Sequence, residues 1–325
     1  MTELSREEHD VTTVSVAIVQ QSPSVLDLEE GTQRACQYIR TATEAGATLV
    51  VFPEAWLGGY PAWIFDQAGW DDPVAKRNHG RFVRASATIP GRHVARIRQA
   101  ASDNAVSVVL GLNERADDTS GTVYNTQLSI NSTGEILNHH RKLIPTHTER
   151  TVWAPGDAHG LRTVNTANAR LGGLICWEHW NPIARYALHA EHEQLHVAAW
   201  PDTSEPHHLA SRSYAFEGRC FVVVAGQYLA TDDVPADLRH SYSRGASAQS
   251  TDQLLFDGGS GLIGPDSRWI IEPVRGQPAL VQADVDLDEC DEQRQDLDIG
   301  GHYTRPELFH VRIDNTRHSV IETTR

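Results

Sequence analysis

Apolar residues fall in short blocks, and polar stretches with helical spacing separate them. The blocks at 14–19, 48–52, 106–112, 123–131, 171–175, 195–200, 220–229 and 279–285 are rich in Val, Ile, Leu and Ala. Their length and composition suit buried strands better than helices. Glycine turns bound a further strand at 258–266, and Ser132-Thr133-Gly134 is a turn leading into 135–143. Between the blocks, 28–45, 92–104, 183–191 and 206–217 place apolar residues three and four apart, as amphipathic helices do. Gly46 stands where the first helix needs a C-cap, and Asn181-Pro182 opens the third. Strand, helix, strand in succession predicts an α/β sheet covered by helices. The stretch 59–73 reads as a loop rich in aromatic residues. The stretch 231–253 is polar and long for a loop inside one domain. It reads as a lid, an interface segment or a poorly ordered stretch. No repeat, linker or low-complexity block divides the chain, so a single domain over 11–312 is expected, with polar tails at 1–10 and 313–325.

Composition narrows the partners. The chain has 325 residues and a net charge of −15, a field that disfavours nucleic acid and anionic membrane surfaces. Its four cysteines, Cys36, Cys176, Cys220 and Cys290, form no CxxC pair, which fits a reducing compartment. The first ten residues lack a basic and apolar leader, and no apolar run reaches the ~18 residues of a membrane span. A cytoplasmic protein is expected. Seventeen histidines invite a metal reading, but no ligand framework appears and no metal or other cofactor is expected. His189 and His192 read as a solvated helix face, and Cys220 as inert core.

Three segments carry the chemistry. Cys176 follows the buried run Leu171–Ile175 and precedes a helix, so its thiol sits at the carboxyl end of a strand, where α/β sheets bind ligands. Gly172 and Gly173 allow close approach to that strand. Glu54 follows the run ending at Phe52-Pro53; desolvation there would raise its pKa and suit it to proton transfer. Lys142 lies just before Leu143-Ile144-Pro145. In a pocket it would be a fixed cation that lowers a thiol pKa or stabilises an oxyanion. Nucleophile, base and cation are the roles that acyl transfer or nitrile addition requires. Trp177 and Trp200, at strand ends, are expected as walls of an apolar pocket, and Trp180 as packing.

Phe52-Pro53-Glu54, His140-Arg141-Lys142-Leu143 and the run from Gly172 through His179 resemble the three signatures of the nitrilase superfamily of carbon–nitrogen hydrolases. The likeness extends to Trp56 through Pro61, Glu149 through Trp153, Gly156-Asp157, Gly258 through Asp266 and Tyr303 through Phe309. It implies a four-layer α-β-β-α sandwich. It also implies Glu54 as general base, Lys142 as cationic stabiliser, Cys176 as nucleophile and Glu149 as a second glutamate closing the site. Tyr60 is expected to bind substrate. Cys176-Trp177-Glu178-His179 resembles the nitrilase branch, so the expected partner is a small nitrile, converted to acid and ammonia. An amide-forming nitrile or cyanide hydratase, an amidase and an inactive scaffold relative are the alternatives. The resemblance further implies a homodimer that extends into a larger homo-oligomer or spiral.

Overall fold

The computed structural model describes residues 13–66, 70–166, 169–245 and 254–318. In chain order the strands are β1 (Thr13–Gln20), β2 (Leu49–Val51), β3 (Ala87–Thr88), β4 (Ser107–Arg115), β5 (Val123–Ile130), β6 (Ile136–Arg141), β7 (Val164–Asn165), β8 (Arg170–Ile175), β9 (Leu195–Trp200), β10 (Phe221–Gly226), β11 (Tyr228–Ala230), β12 (Leu254–Ile263), β13 (Trp269–Arg275) and β14 (Ala279–Asp286). The helices are α1 (Leu28–Glu44), α2 (Pro73–Arg84), α3 (Arg92–Asp103), α4 (Pro182–His189), α5 (Glu205–Gly218), α6 (Arg239–Gly245) and α7 (Asp288–Gln293). One sheet runs β14-β1-β2-β4-β5-β6, with β3 beside β4. The other runs β11-β12-β10-β9-β8-β7, with β13 beside β12. Each has a parallel centre, β1-β2-β4 in one and β8-β9-β10 in the other.

The alternation of side chains along these strands builds the layers. Val16, Ile18, Leu49, Val51 and Val109 turn inward and meet Val197, Ala199, Phe221 and Val223 of the second sheet. The intervening residues turn outward. Ala17, Val19, Val50 and Val108 pack under Ala35 and Ile39 of α1 and Val94 and Ile97 of α3. Ala198, Trp200, Val222 and Val224 pack under Ala184 and Leu188 of α4 and Ala210 and Tyr214 of α5. The result is the expected helix–sheet–sheet–helix sandwich. Burying each such aliphatic side chain stabilises the fold by roughly 1.5–3 kcal/mol against exposure. No described helix is long and apolar enough to cross a membrane.

Several elements differ from the sequence reading. α2 lies in a polar stretch with no assignment. Only Asn78, Phe82 and Val83 of it are buried, and Asp72 caps it ahead of Pro73. The run 220–229 breaks at Gln227, whose buried side-chain amide donates to the Glu54 carbonyl. β12 begins at Leu254, and β13 pairs with it through shifted register. Within 231–253, α6 is a packed helix and not a bare loop. Its Tyr242 hydroxyl donates to Tyr60 O at 2.9 Å, and Ser241 reaches Asp66 at 3.0 Å. Residues 246–253, and the tails 1–12 and 319–325, lie outside the described residues. The described end of the C-terminal tail is anchored: Arg317 pairs with Asp157 at 3.1 Å and donates to His139 O at 2.7 Å.

Candidate active site

The site forms where strands of both sheets end. Glu54 follows β2, Cys176 follows β8 and Lys142 follows β6, while Glu149 sits in a short 3-10 turn, His147–Thr151. All four side chains are buried. Lys142 Nζ donates to Glu54 Oε1 at 3.0 Å and to Glu149 Oε2 at 2.7 Å. One oxygen of each glutamate and Cys176 Sγ lie within 4.8 Å of one another. That cluster has the donors of a metal site, but the Lys142 ammonium already holds the cation's place between the carboxylates. Asn125 Nδ2 of β5 donates to Glu54 Oε1 at 2.6 Å. Tyr60 OH donates to Glu149 Oε1 at 2.7 Å, and Thr146 N to Glu149 Oε2 at 2.6 Å. Glu54 Oε2 has no hydrogen-bond partner in the described structure, which leaves it open to a thiol or water proton.

The Cys176 thiol stands on a constrained turn. Cys176 has φ +56°, a left-handed conformation rare for a residue with a side chain. Glu178 holds the turn in place. Its Oε2 accepts from Ile175 N at 2.7 Å and meets His140 Nε2 at 2.9 Å, while its Oε1 accepts from Leu143 N at 2.8 Å. One buried carboxylate therefore ties the thiol's strand to the residue after Lys142.

Comparison with known proteins identifies the family. The family model for carbon–nitrogen hydrolases matches residues 15–295. The chain belongs to this family. It is 38% identical to "Nitrilase 2" of an unknown prokaryotic organism, covering 93% of each protein. It is 34% identical to an "Arylacetonitrilase" of Aspergillus kawachii, covering 93% of this chain and 92% of that protein. Among solved structures, a carbon–nitrogen hydrolase from Helicobacter pylori G27 superposes with a TM-score of 0.69 at 16% identity, over 93% of this chain and 98% of the other.

Electrostatics in this carbon–nitrogen hydrolase follow from burial. Burial pushes the Glu54 carboxyl up to about 7, and Glu149 adds to the rise while Lys142 and Asn125 oppose it. Burial also pushes the Cys176 thiol well above its usual range, and Glu54 adds to it. Lys142 and the neighbouring Trp177 N–H pull the other way and are outweighed. The expected depression of the thiol by Lys142 is thus present in direction but smaller than desolvation. For Lys142 burial works against the charge, yet Cys176, Glu54 and Glu149 overcome it and hold the pKa well above normal. At neutral pH the site therefore holds a thiol and an ammonium, with Glu54 poised between its two forms.

The expected pocket residues divide. Trp177 is 52% exposed and borders a cavity of about 220 Å³ with Leu143, Ile144, Pro145, His147 and Arg150. Cys176 is not in that lining, which starts one residue beyond Lys142 and one beyond Cys176. Tyr60 is buried and holds Glu149. Trp200 faces the other way: it shares the outward parity of Ala198, packs on His179 with ring centroids 4.7 Å apart and has no exposed surface. Strand parity, and not the position at the strand end, decides where its ring goes. Trp180, read as packing, is 40% exposed. His189, read as solvated, is buried with Nδ1 3.2 Å from Glu193; His192 is half-exposed. Sequence reasoning missed Asn125, whose only signal is a polar residue inside a buried strand.

Proposed function

We propose that the chain is a nitrilase that hydrolyses an organic nitrile to the carboxylic acid and ammonia. The observation that carries this reading is Glu54 Oε2, unpartnered in a buried site where Lys142 Nζ donates to the other Glu54 oxygen at 3.0 Å and Cys176 Sγ lies within 4.8 Å of a Glu54 oxygen. Likeness to proteins named for nitrile hydrolysis, together with the Cys176-Trp177-Glu178-His179 sequence, favours a nitrile over an amide. Glu54 takes the Cys176 proton as sulfur attacks the nitrile carbon, then returns it to nitrogen, giving a neutral thioimidate. Lys142 and the Trp177 N–H stabilise the negative charge that develops on nitrogen. Water, giving a proton to Glu54, adds to the thioimidate. The tetrahedral species takes a proton on nitrogen and expels ammonia, leaving a thioester. A second water releases the acid and restores the thiol. If the tetrahedral species expels sulfur instead, an amide is released. A panel of nitriles and amides, with acid, amide and ammonia quantified, tests the reading. Hydrolysis of amides with no turnover of any nitrile would make the chain an amidase.

The pH profile checks the base. Only ionised Glu54 accepts a proton, and its pKa stands at about 7, above the usual carboxylate value because of burial. For the free enzyme kcat/KM should therefore fall as pH drops through about 7, approaching about tenfold per unit below pH 6. Asn125→Ala removes a bond that favours the ionised form, so the acid limb should move to higher pH. An acid limb near 4.5, unmoved by Asn125→Ala, would remove Glu54 from this role.

Trp177→Ala should change which nitrile is preferred and shift the acid-to-amide ratio. A change of ~1.4 kcal/mol between the two exit barriers alters that ratio tenfold. Because the ring is half-exposed, the stability cost should be well below the roughly 3–5 kcal/mol of a fully buried Trp. A large loss of Tm with unchanged preference and ratio would assign Trp177 to packing alone. Exposed Trp180, Ile183, Leu209 and Phe216 on and beside α4 and α5 support association of copies through that layer. A monomeric mass by light scattering at assay concentration would remove that reading.

A further inference from the structure

Behind Cys176 a chain of buried polar groups runs away from the reacting atoms. His179 Nδ1 lies 2.7 Å from Cys176 O, and His179 Nε2 lies 3.0 Å from His196 Nε2. His196 Nδ1 lies 2.9 Å from Glu193 Oε2. The Tyr214 hydroxyl donates to Glu193 Oε1. His179, His196 and Glu193 have no exposed surface. Room for Glu193 comes from Gly172, where any Cβ would overlap Glu193 Oε2. The proposed mechanism uses none of these three side chains.

Counting protons along the chain gives a definite result. Both ends are acceptors, a carbonyl at Cys176 and a carboxylate at Glu193. Each of the three contacts between them needs one proton, and two neutral imidazoles supply only two. Without a third proton, one contact would set two lone pairs face to face at 3.0 Å or less. Burial opposes ionisation of Glu193, but His196 and His189 outweigh it and hold the carboxyl down to about 2. Glu193 Oε1 also accepts from the Tyr214 hydroxyl and lies 3.2 Å from His189 Nδ1, and donors around both oxygens favour the carboxylate, so the third proton falls to the imidazole pair. Burial, with His196 beside it, holds His179 well below the usual imidazole range, and burial holds His196 below it; Glu193 raises both and is outweighed, so it is the hydrogen-bond count, and not either ring taken singly, that calls for the extra proton. Other charged or titratable groups face the relay: Arg185, which donates to His179 O at 2.9 Å, Glu178, and His189, itself 3.7 Å from Glu217.

We infer that the His179–His196–Glu193 relay stores one extra proton and uses it to polarise the Cys176–Trp177 peptide. A charged donor on the Cys176 carbonyl draws electron density towards that oxygen. The N–H of the same peptide, at Trp177, becomes a stronger donor to the sulfur and to the nitrogen anion formed beside it. His179 is then a positioning residue, acting through the backbone and not on substrate. The kinetic half of this inference rests on the nitrilase reading.

Glu193→Gln separates charge from geometry. Its amide can donate to His196 Nδ1 and still accept from Tyr214, so all three contacts survive with both rings neutral. His179→Asn keeps a neutral donor at Cys176 O and cuts the relay. In ¹⁵N-histidine-labelled wild type at pH 8, a doubly protonated buried imidazole should appear. It should vanish in both variants, and its loss in His179→Asn assigns it, because His140 and His189 remain. With the best nitrile, kcat should fall about tenfold in each folded variant, the difference between a charge-assisted and a neutral hydrogen bond, with KM little changed. Neutral rings throughout in wild type, or wild-type kcat in folded Glu193→Gln, would overturn the inference. If wild type turns over no nitrile, the function reading fails, while the spectra still decide whether the relay holds its proton.

Discussion

Cys176→Ala should abolish nitrile turnover and leave a folded protein. The Cys176 sulfur lies beside both Glu54 and Glu149, with one atom of each residue within 4.8 Å of the others, and the proposed mechanism makes it the attacking atom. Removing an attacking group of this kind lowers kcat by on the order of 10⁴-fold or more, because the remaining site can only bind and polarise. The structural cost is small. One buried sulfur is lost from the edge of the core, and the left-handed backbone at φ +56° is no worse for Ala than for Cys. A change of about 1 kcal/mol is typical of such a substitution. Melting curves beside product assays test the pair of expectations. Hydrolysis well above background in a folded Cys176→Ala protein would end the assignment. Trapped intermediate in the wild type should add mass to the peptide carrying Cys176 and to none carrying Cys36, Cys220 or Cys290.

Lys142→Met should remove activity and stability together. The ammonium bridges two buried carboxylates at 3.0 and 2.7 Å. Its loss leaves Glu54 and Glu149 facing one another without a counter-charge. Removing one partner of a buried ion pair costs roughly 3–5 kcal/mol. Losing a preorganised charge that stabilises the transition state costs about 10²–10³ in kcat. The stability deficit should depend on pH in a fixed direction. Glu54 already has a folded pKa of about 7, raised by burial against the pull of Lys142. Without Lys142 that pKa rises further. A carboxyl whose folded pKa lies above its unfolded one stabilises fully below the unfolded value, and that contribution is lost as pH climbs through the folded value. The wild type stops losing stability from this group above about 7, whereas the variant continues. The gap in Tm should therefore be wider at pH 8 than at pH 6. A gap that narrows with rising pH, or a variant with wild-type kcat, would contradict the bridging role of Lys142.

The parts of this molecule that can be read from sequence are those where one local signal has one outcome. β1 and β9 are apolar runs that only a buried strand accommodates, and α1 shows Ala35, Ile39 and Ala42 at helical spacing and buried. Glu54, Lys142 and Cys176 were singled out because Glu54 and Cys176 each follow an apolar block, Lys142 precedes one, and all three sit within a recognisable motif. Where two outcomes share one signal, the reading divided. Trp200 closes β9 and Trp177 comes two residues after β8, yet parity sends the first into the helix layer and a turn sends the second outward. His189 looks like any polar helix position until Glu193, four residues on, and Tyr214 of α5 close over it. Asn125 stands in a strand where Thr126 and Gln127 are buried too, so polarity along β5 marks no exposed face. Helix α2 hid because its buried face is only three residues.

The state of the cysteines has a practical consequence for handling the protein as a catalyst. Burial pushes the thiol of Cys36 up and those of Cys176 and Cys220 far up, and it raises Cys290 to about 12. Peroxide attacks thiolates far faster than thiols. With all four sulfurs protonated at neutral pH, the resting protein offers oxidants no ready target, and long storage in air without added reductant should leave it intact. On the proposed mechanism the Cys176 sulfur passes from thiol directly to a carbon-bound form, so a slowly processed nitrile should shield it further and not expose it.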